Sequence, residues 1–281
     1  MTAVTAPPTP RLGLADITPA ARPAGFIATT RSVAGRTLRK YMRTPQLLVV
    51  GTVQGALFLL IFRYVFGGAI DTGDIPYVDF LVPGFVLTGV LFSGMDTSSG
   101  VAEDLDQGFF DRLRSLPVPR VALLAGRAVA DTGIVAWGTA VTTAIGFLVG
   151  FRLHASALDG LLAFGLTVVC GFAFVWMFVC IGILAGNPQA AQGMSLLVFP
   201  ITFVSSAYVP VDTMPGWMQP FAEHQPITIM CNAVRSLTLG GPELAGLGHT
   251  TTYWVALSLA WALGLTLVFA PVAAAFYRRS A

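Results

Sequence analysis

The chain has 281 residues, 55 % of them hydrophobic and 11 % charged, less than half the roughly 25 % charge of an ordinary soluble domain, which argues against a water-soluble fold. Sixteen basic against fourteen acidic residues give a net charge of +2, so the overall balance offers no general attraction to nucleic acid. The single lysine, Lys40, lies in GRTLRKY without the glycine that a phosphate-binding GxxxxGK[ST] loop needs before its lysine, so the chain carries no such loop.

Residues 1–25 hold Pro7, Pro8, Pro10, Pro19 and Pro23 among Ala and Thr, with no apolar period, and are expected to be a disordered cytosolic tail. They do not read as a signal peptide, because the first long apolar run begins near Leu47. On a helical wheel, Phe26 to Arg43 places Phe26, Ile27, Val33, Ala34, Leu38, Tyr41 and Met42 on one half and Arg36, Arg39, Lys40 and Arg43 on the other. Such a helix, bounded at 26–44 and stopped by Pro45, lies in the interface of an anionic leaflet or serves as a basic flank that sets topology. Six stretches are then long and apolar enough to span a bilayer: about 47–68, 78–95, 121–150, 161–184, 194–211 and 253–277. The fifth contains Pro200, which predicts a kink. The expected fold is an all-α polytopic membrane protein, with residues 26–279 forming one transmembrane domain.

Basic residues beside the spans set the orientation. Eleven (Arg31, Arg36, Arg39, Lys40, Arg43, Arg112, Arg114, Arg120, Arg127, Arg278 and Arg279) fall on one side, and Arg63, Arg152 and Arg235 on the other. Both termini are therefore expected in the cytosol, with the Asn187, Pro188, Gln189 link inside and the acidic link of Asp71, Asp74 and Asp79 outside. Cys170, Cys180 and Cys231 fit neither a disulfide framework nor a metal pattern, and His154, His224 and His249 stand apart in expected loops. No catalytic residues and no metal site are predicted.

Two links are unusual. Residues 101–120, VAEDLDQGFFDRLRSLPVPR, are far more charged than their surroundings and place Phe109, Leu113 and Leu116 on one helical face. The exposed pair Phe109 and Phe110 suits a partner's groove, or folds back on the membrane surface. Residues 212–240 open with Pro215, Trp217, Pro220 and Pro226, too broken for a span, then resume helical spacing at Ile227, Met230, Val234 and Leu237. They form a re-entrant segment on the outer side or an aromatic interface belt. Charged residues are nearly absent from the spans; Asp96, Arg63 and Asp131 lie toward span ends, and Arg127 and Asp131 can pair at i, i+4. That scarcity disfavours a proton-coupled carrier, and no nucleophile and base pair for an enzyme appears.

LVPG at 81–84, Glu103 and Asp104, GFFDRLRSLPVPR at 108–120 and MPGWMQPFAEHQPIT at 214–228 together resemble permeases of the ABC-2 type exporter family, closest to the daunorubicin/doxorubicin-resistance branch. The likeness covers about residues 30–279. It implies a half-transporter that moves a hydrophobic or amphipathic drug, polyketide or lipid out of the cytoplasm or inner leaflet. It implies as partners a second permease, identical or homologous, the membrane lipid, and two separate ABC ATPase subunits that bind ATP and Mg; the chain itself holds no cofactor, binds no nucleic acid and is no enzyme. By the same likeness Glu103, Asp104, Phe109, Phe110, Asp111, Arg112 and Leu113 couple to the ATPase, Asp111 standing where the family typically has Glu. Phe85, Leu87, Phe92, Phe199, Phe203 and Tyr208 would line the translocation path, and Met214, Pro215, Trp217, Gln219, Pro220 and Pro226 would carry the re-entrant segment. The branch and the Arg-rich, Ala- and Gly-rich composition point to an actinobacterial cytoplasmic membrane. The alternatives are a secondary carrier or channel, or a membrane anchor of another complex.

Overall fold

A computed structural model of the chain describes residues 25–73, 75–108, 119–240 and 247–279. The expected N-terminal tail lies outside the described residues but for Gly25, and so do Phe109, Phe110, Asp111, Arg112 and Leu113. Among the described residues the structure is helical and without strands.

Helix α1 spans Phe26–Arg43. It docks on α4, Arg120–Val149, by Thr29, Val33 and Thr37, one stripe at i, i+4, i+8. The close approach is set by Gly126 of α4, where a Cβ would meet the Thr30 carbonyl and the Val33 side chain, each at 2.7 Å. The packed stripe is thus narrower than the apolar half of the wheel: Phe26, Ile27, Leu38 and Met42 stay exposed, as a helix lying on a lipid surface requires.

Helix α2, Pro45–Ile61, ends in a π turn at Phe62–Phe66. Helices α3, Tyr77–Asp106, and α5, Ala157–Ala185, form the central pair. The apolar windows of α3 and α5 are 78 % and 61 % buried within the chain, against 17 % for α4 and 11 % for α10, Thr251–Arg279. These four helices are long and apolar enough to cross a membrane; the apolar stretch Val53–Phe66 is shorter. The two outer helices leave Trp137, Leu148, Leu263 and Leu267 pointing outward, an apolar surface that suits lipid or another membrane subunit.

The expected fifth span is not one kinked helix. The chain forms α6, Pro188–Leu196, turns at Leu197 and Val198, and forms the five-residue α7, Phe199–Phe203, before an irregular stretch to Pro210. Pro200 lies in the first turn of α7, where its missing N–H has no intrahelical partner to lose, so it starts a helix instead of bending one. Asn187 belongs to the same correction: it caps α6 by accepting from the Ala190 N–H at 2.9 Å, and Pro188 and Gln189 are already helical, which shortens the expected link. A 3-10 turn at Val211–Thr213 precedes α8, Gln219–His224, and α9, Pro226–Thr238. Both helices also begin with proline in the first turn. Asp79, expected in the acidic link, is instead buried in the first turn of α3.

Candidate functional site

At the Asp106 end of α3 the two described residues of the expected coupling set, Glu103 and Asp104, sit in a charged joint. Arg127 of α4 is buried and donates from Nη1 to Asp104 Oδ2 and from Nε to Asp131 Oδ2, each at 2.7 Å. Asp104 also faces Arg36 of α1 at 3.7 Å, and Glu103 accepts from Lys40 Nζ at 2.7 Å and from Gln107 at 3.0 Å. The expected Arg127–Asp131 pair is present, and Asp104 joins it. Three helices, α1, α3 and α4, are thus linked by ionised side chains immediately before residues 109–118. The Lys40 ammonium holds the Glu103 carboxyl below the usual carboxylate range.

Further along the same helix an unbroken file of aromatic rings crosses from α3 to α7. Phe92 meets Phe199 at 5.2 Å between centroids, Phe199 meets Phe203 at 5.1 Å, Phe203 meets Tyr208 at 5.2 Å, and Tyr208 meets Phe85 at 5.3 Å. Phe62 of the π turn stacks on Tyr208 at 4.8 Å. Five of the six residues expected along the path therefore touch in sequence, while Leu87 is fully buried in the core. The rings do not share one exposure: Phe85 and Tyr208 are buried and Phe203 is exposed. Beneath Phe92 and Phe199, a crevice of ≈ 10 Å³, room for about one water, is closed by Met95, Phe178, Ser195 and Thr202. A Ser98–Ser195 hydroxyl contact at 2.6 Å seals α6 against α3 there.

At the Tyr77 end a buried arginine replaces the charged joint. Arg235 of α9, counted by sequence as a basic residue on the outer side, is wholly buried. Its Nε donates to the Phe80 carbonyl at 2.9 Å, and Nη1 to Ser206 Oγ at 2.9 Å and Asn232 Oδ1 at 3.2 Å. Nη2 donates to the carbonyls of Ser206 and Ala207, and the guanidinium carbon lies 3.6 Å from the Phe80 ring centroid. Buried Gln225 donates to the Val204 and Ile201 carbonyls, and the Ser206 N–H reaches Thr228 Oγ1 at 3.0 Å. The side chains of α9 therefore satisfy the irregular backbone after α7, which an apolar surrounding demands. At Gly84 of α3 this stretch comes so close that a Cβ would lie 1.9 Å from the Ala207 carbonyl oxygen.

The proline-rich approach to α9 is pinned by Gln219, whose amide donates to the Met214 carbonyl at 2.9 Å and the Asp212 carbonyl at 3.2 Å. Pro215 closes a turn by accepting from the Met218 N–H, Pro220 and Pro226 start α8 and α9, and Trp217 stands exposed. Asp79 accepts from the Arg152 N–H and contacts His154 Nε2, each at 2.9 Å. Sequence reading missed Arg235 and this Asp79–His154 contact. For Arg235 a signal existed: it lies about 80° from Ile227 on the wheel, next to Cys231 on the packed side. For Asp79 none existed, because its partners come from 73 and 75 residues away.

Comparison with known proteins bears on the whole of this arrangement. Residues 29–239 match the ABC-2 type transporter family. A daunorubicin resistance ABC transporter permease protein, DrrB1 of Streptomyces coeruleorubidus, is 32 % identical over 254 residues, covering 90 % of this chain and 87 % of the relative. A probable doxorubicin resistance ABC transporter permease protein, DrrC of Mycobacterium tuberculosis, is 27 % identical over 260 residues, covering 91 % and 90 %. The all-helical membrane fold and these matches along almost the full length lead to one conclusion: the chain belongs to the ABC-2 type transporter family and is the transmembrane permease subunit of an ABC exporter.

Proposed function

We propose that this permease moves a hydrophobic or amphipathic compound along the aromatic file, driven by ATP hydrolysis in separate subunits. The observation that carries the reading is the continuous ring contact in which half-buried Phe92 and Phe199 and exposed Phe203 offer an apolar compound a polarisable surface, backed by the buried rings of Tyr208 and Phe85. The drug-resistance names of the relatives support the same class of cargo. A second permease, identical or homologous, completes the path against the exposed edge of the file. Two ABC ATPase subunits bind ATP and Mg and engage residues 101–120 through Phe109, Phe110 and Leu113, with Asp111 and Arg112 beside them; the charged joint at Glu103 and Asp104 passes their motion to α1 and α4. The membrane is the cytoplasmic one of an actinobacterium, crossed six times, with both termini inside and residues 212–240 re-entering from outside.

The test is ATP hydrolysis by the permease and its ATPase reconstituted together. The permease alone should hydrolyse no ATP, and amphipathic drugs should stimulate the complex. Phe109→Ala with Phe110→Ala should weaken ATPase binding by about 2 kcal/mol, as loss of buried aromatic anchors commonly does, without lowering the amount of permease in the membrane. Normal co-purification and stimulation of that variant would remove the coupling assignment.

A further inference from the structure

Most of α3 is enclosed by its neighbours, and one face is less covered: Gly89, Phe92, Ser93, Ser99 and Gly100 are half-buried, Gly89, Ser93 and Gly100 lying beside α4, and only Asp96 on this face is exposed. These positions repeat at i, i+3, i+4, i+7 and share one face. Asp96 is the stripe's carboxylate, and among the described residues it makes no hydrogen bond and no ion pair. Its acidic neighbours are served: Arg127 takes Asp104 and Asp131, and Lys40 takes Glu103. Asp131 is near enough to add negative potential at Asp96, and the Arg127 guanidinium already serves two carboxylates, neither of them Asp96. Ionisable groups on membrane helices are rare and tend to mark substrate or ion pathways.

Its position says which part of a ligand it meets. Asp96 stands one turn from Phe92, the end of the aromatic file, and nineteen residues, roughly 28 Å, along α3 from Tyr77. That is the full depth of a hydrocarbon core of about 30 Å. An amphiphile lying along Phe199, Phe203 and Phe92 would therefore place its polar head at Asp96. A carboxylate only accepts hydrogen bonds, so the head it favours is a cation, helped by the face of Phe92.

We propose that Asp96 receives the cationic head of an amphipathic cargo whose apolar body lies along Phe92, Phe199 and Phe203. This rests on the amphipathic-cargo reading above and narrows it to cations. The test uses two ions of nearly the same shape and opposite charge, tetraphenylphosphonium and tetraphenylborate, bound to the full chain in lipid nanodiscs, with empty nanodiscs subtracted. Asp96→Asn is close to isosteric, and Asp96→Glu keeps the charge. The wild type should bind the phosphonium saturably; Asp96→Asn should weaken it about tenfold, the loss of one charge-assisted contact, and leave borate binding unchanged or stronger. Asp96→Glu should restore most of the phosphonium affinity. Equal loss of both ions in Asp96→Asn, or unchanged phosphonium binding, overturns the assignment and leaves the apolar path standing. Saturable binding of neither ion to the wild type overturns both.

Discussion

The two ends of α3 solve the same problem, a buried arginine, with opposite chemistry. At the Asp106 end Arg127 is paired with two carboxylates, Asp104 and Asp131, on two helices. At the Tyr77 end Arg235 has no carboxylate partner among the described residues and is held by the carbonyls of Phe80, Ser206 and Ala207 with two side-chain oxygens. Ion pairs depend on distance more than on direction, so helices joined by them can shift while keeping much of the attraction. A guanidinium spread over fixed carbonyls depends on the planar fork and on backbone positions that cannot follow it. By this geometry the Asp106 end is the more tolerant joint of the two, and the Tyr77 end is a clamp.

Replacing each arginine by lysine separates the two. Arg235→Lys keeps a charge with no counter-charge and gives up most of five acceptors, leaving buried carbonyls unpaired. Each unpaired buried group costs about 1–3 kcal/mol, so the loss should be at least roughly 3 kcal/mol and Arg235→Met should be no better. Thermal unfolding in detergent and the yield of monodisperse protein are the measurements. A lysine variant as stable as the wild type would show that the charge, not the fork, fixes the backbone after α7.

Arg127→Lys should cost less, about 1.5 kcal/mol, because an ammonium still reaches one carboxylate and loses one charge-assisted bond. The comparison predicts a different partner for each variant. Combining Asp104→Asn with Arg127→Lys should add no further loss, since the lysine needs one carboxylate, whereas no single neutralisation should rescue Arg235→Lys. Thermal melts of the single and double variants decide this; a double variant whose losses simply add would mean that Asp104 and Asp131 do not share Arg127.

Only one side of this contrast was legible in the sequence, and the limits have physical causes. The long helices show in apolar length, α1 in its period of 3.6, and the Arg127–Asp131 pair in its i, i+4 spacing, all local properties. The six path residues came from the family likeness, not from periodicity, and that five of them touch ring to ring was not foreseen. Pro200 was misjudged because proline reads the same in the interior of a helix and in its first turn, and the difference lies in where the preceding helix stops. Arg235 was misjudged because a positive-inside count treats every arginine as surface, while its acceptors at Phe80 and Ser206 lie 155 and 29 residues away. The wheel marks the packed side on which Arg235 lies, but which distant carbonyls it satisfies leaves no mark on a single sequence.

The smallest effect belongs to the outermost contact of the joint, Lys40 with Glu103. Both side chains are well exposed, 45 % and 39 %, so water and salt screen the pair and its removal by Glu103→Gln should cost under about 1 kcal/mol. Its pH dependence has a defined sign. Glu103 is held below its ordinary value in the folded chain, first by the hydrogen bond from Lys40, so the pair's stabilisation is complete above the ordinary glutamate range and lost as the pH falls through that range to the lowered value. Glu103→Gln should therefore narrow the stability gap to wild type on acidification below about pH 4.5 and leave it unchanged between neutral and mildly alkaline pH. Raising salt at neutral pH should shrink the same gap, while the buried Arg127 cluster, out of reach of mobile ions, should keep its contribution. A gap that ignores both salt and acid would mean that Lys40 fixes α1 through packing of its aliphatic stem, and that the joint's mobile edge lies at Arg36 and Asp104.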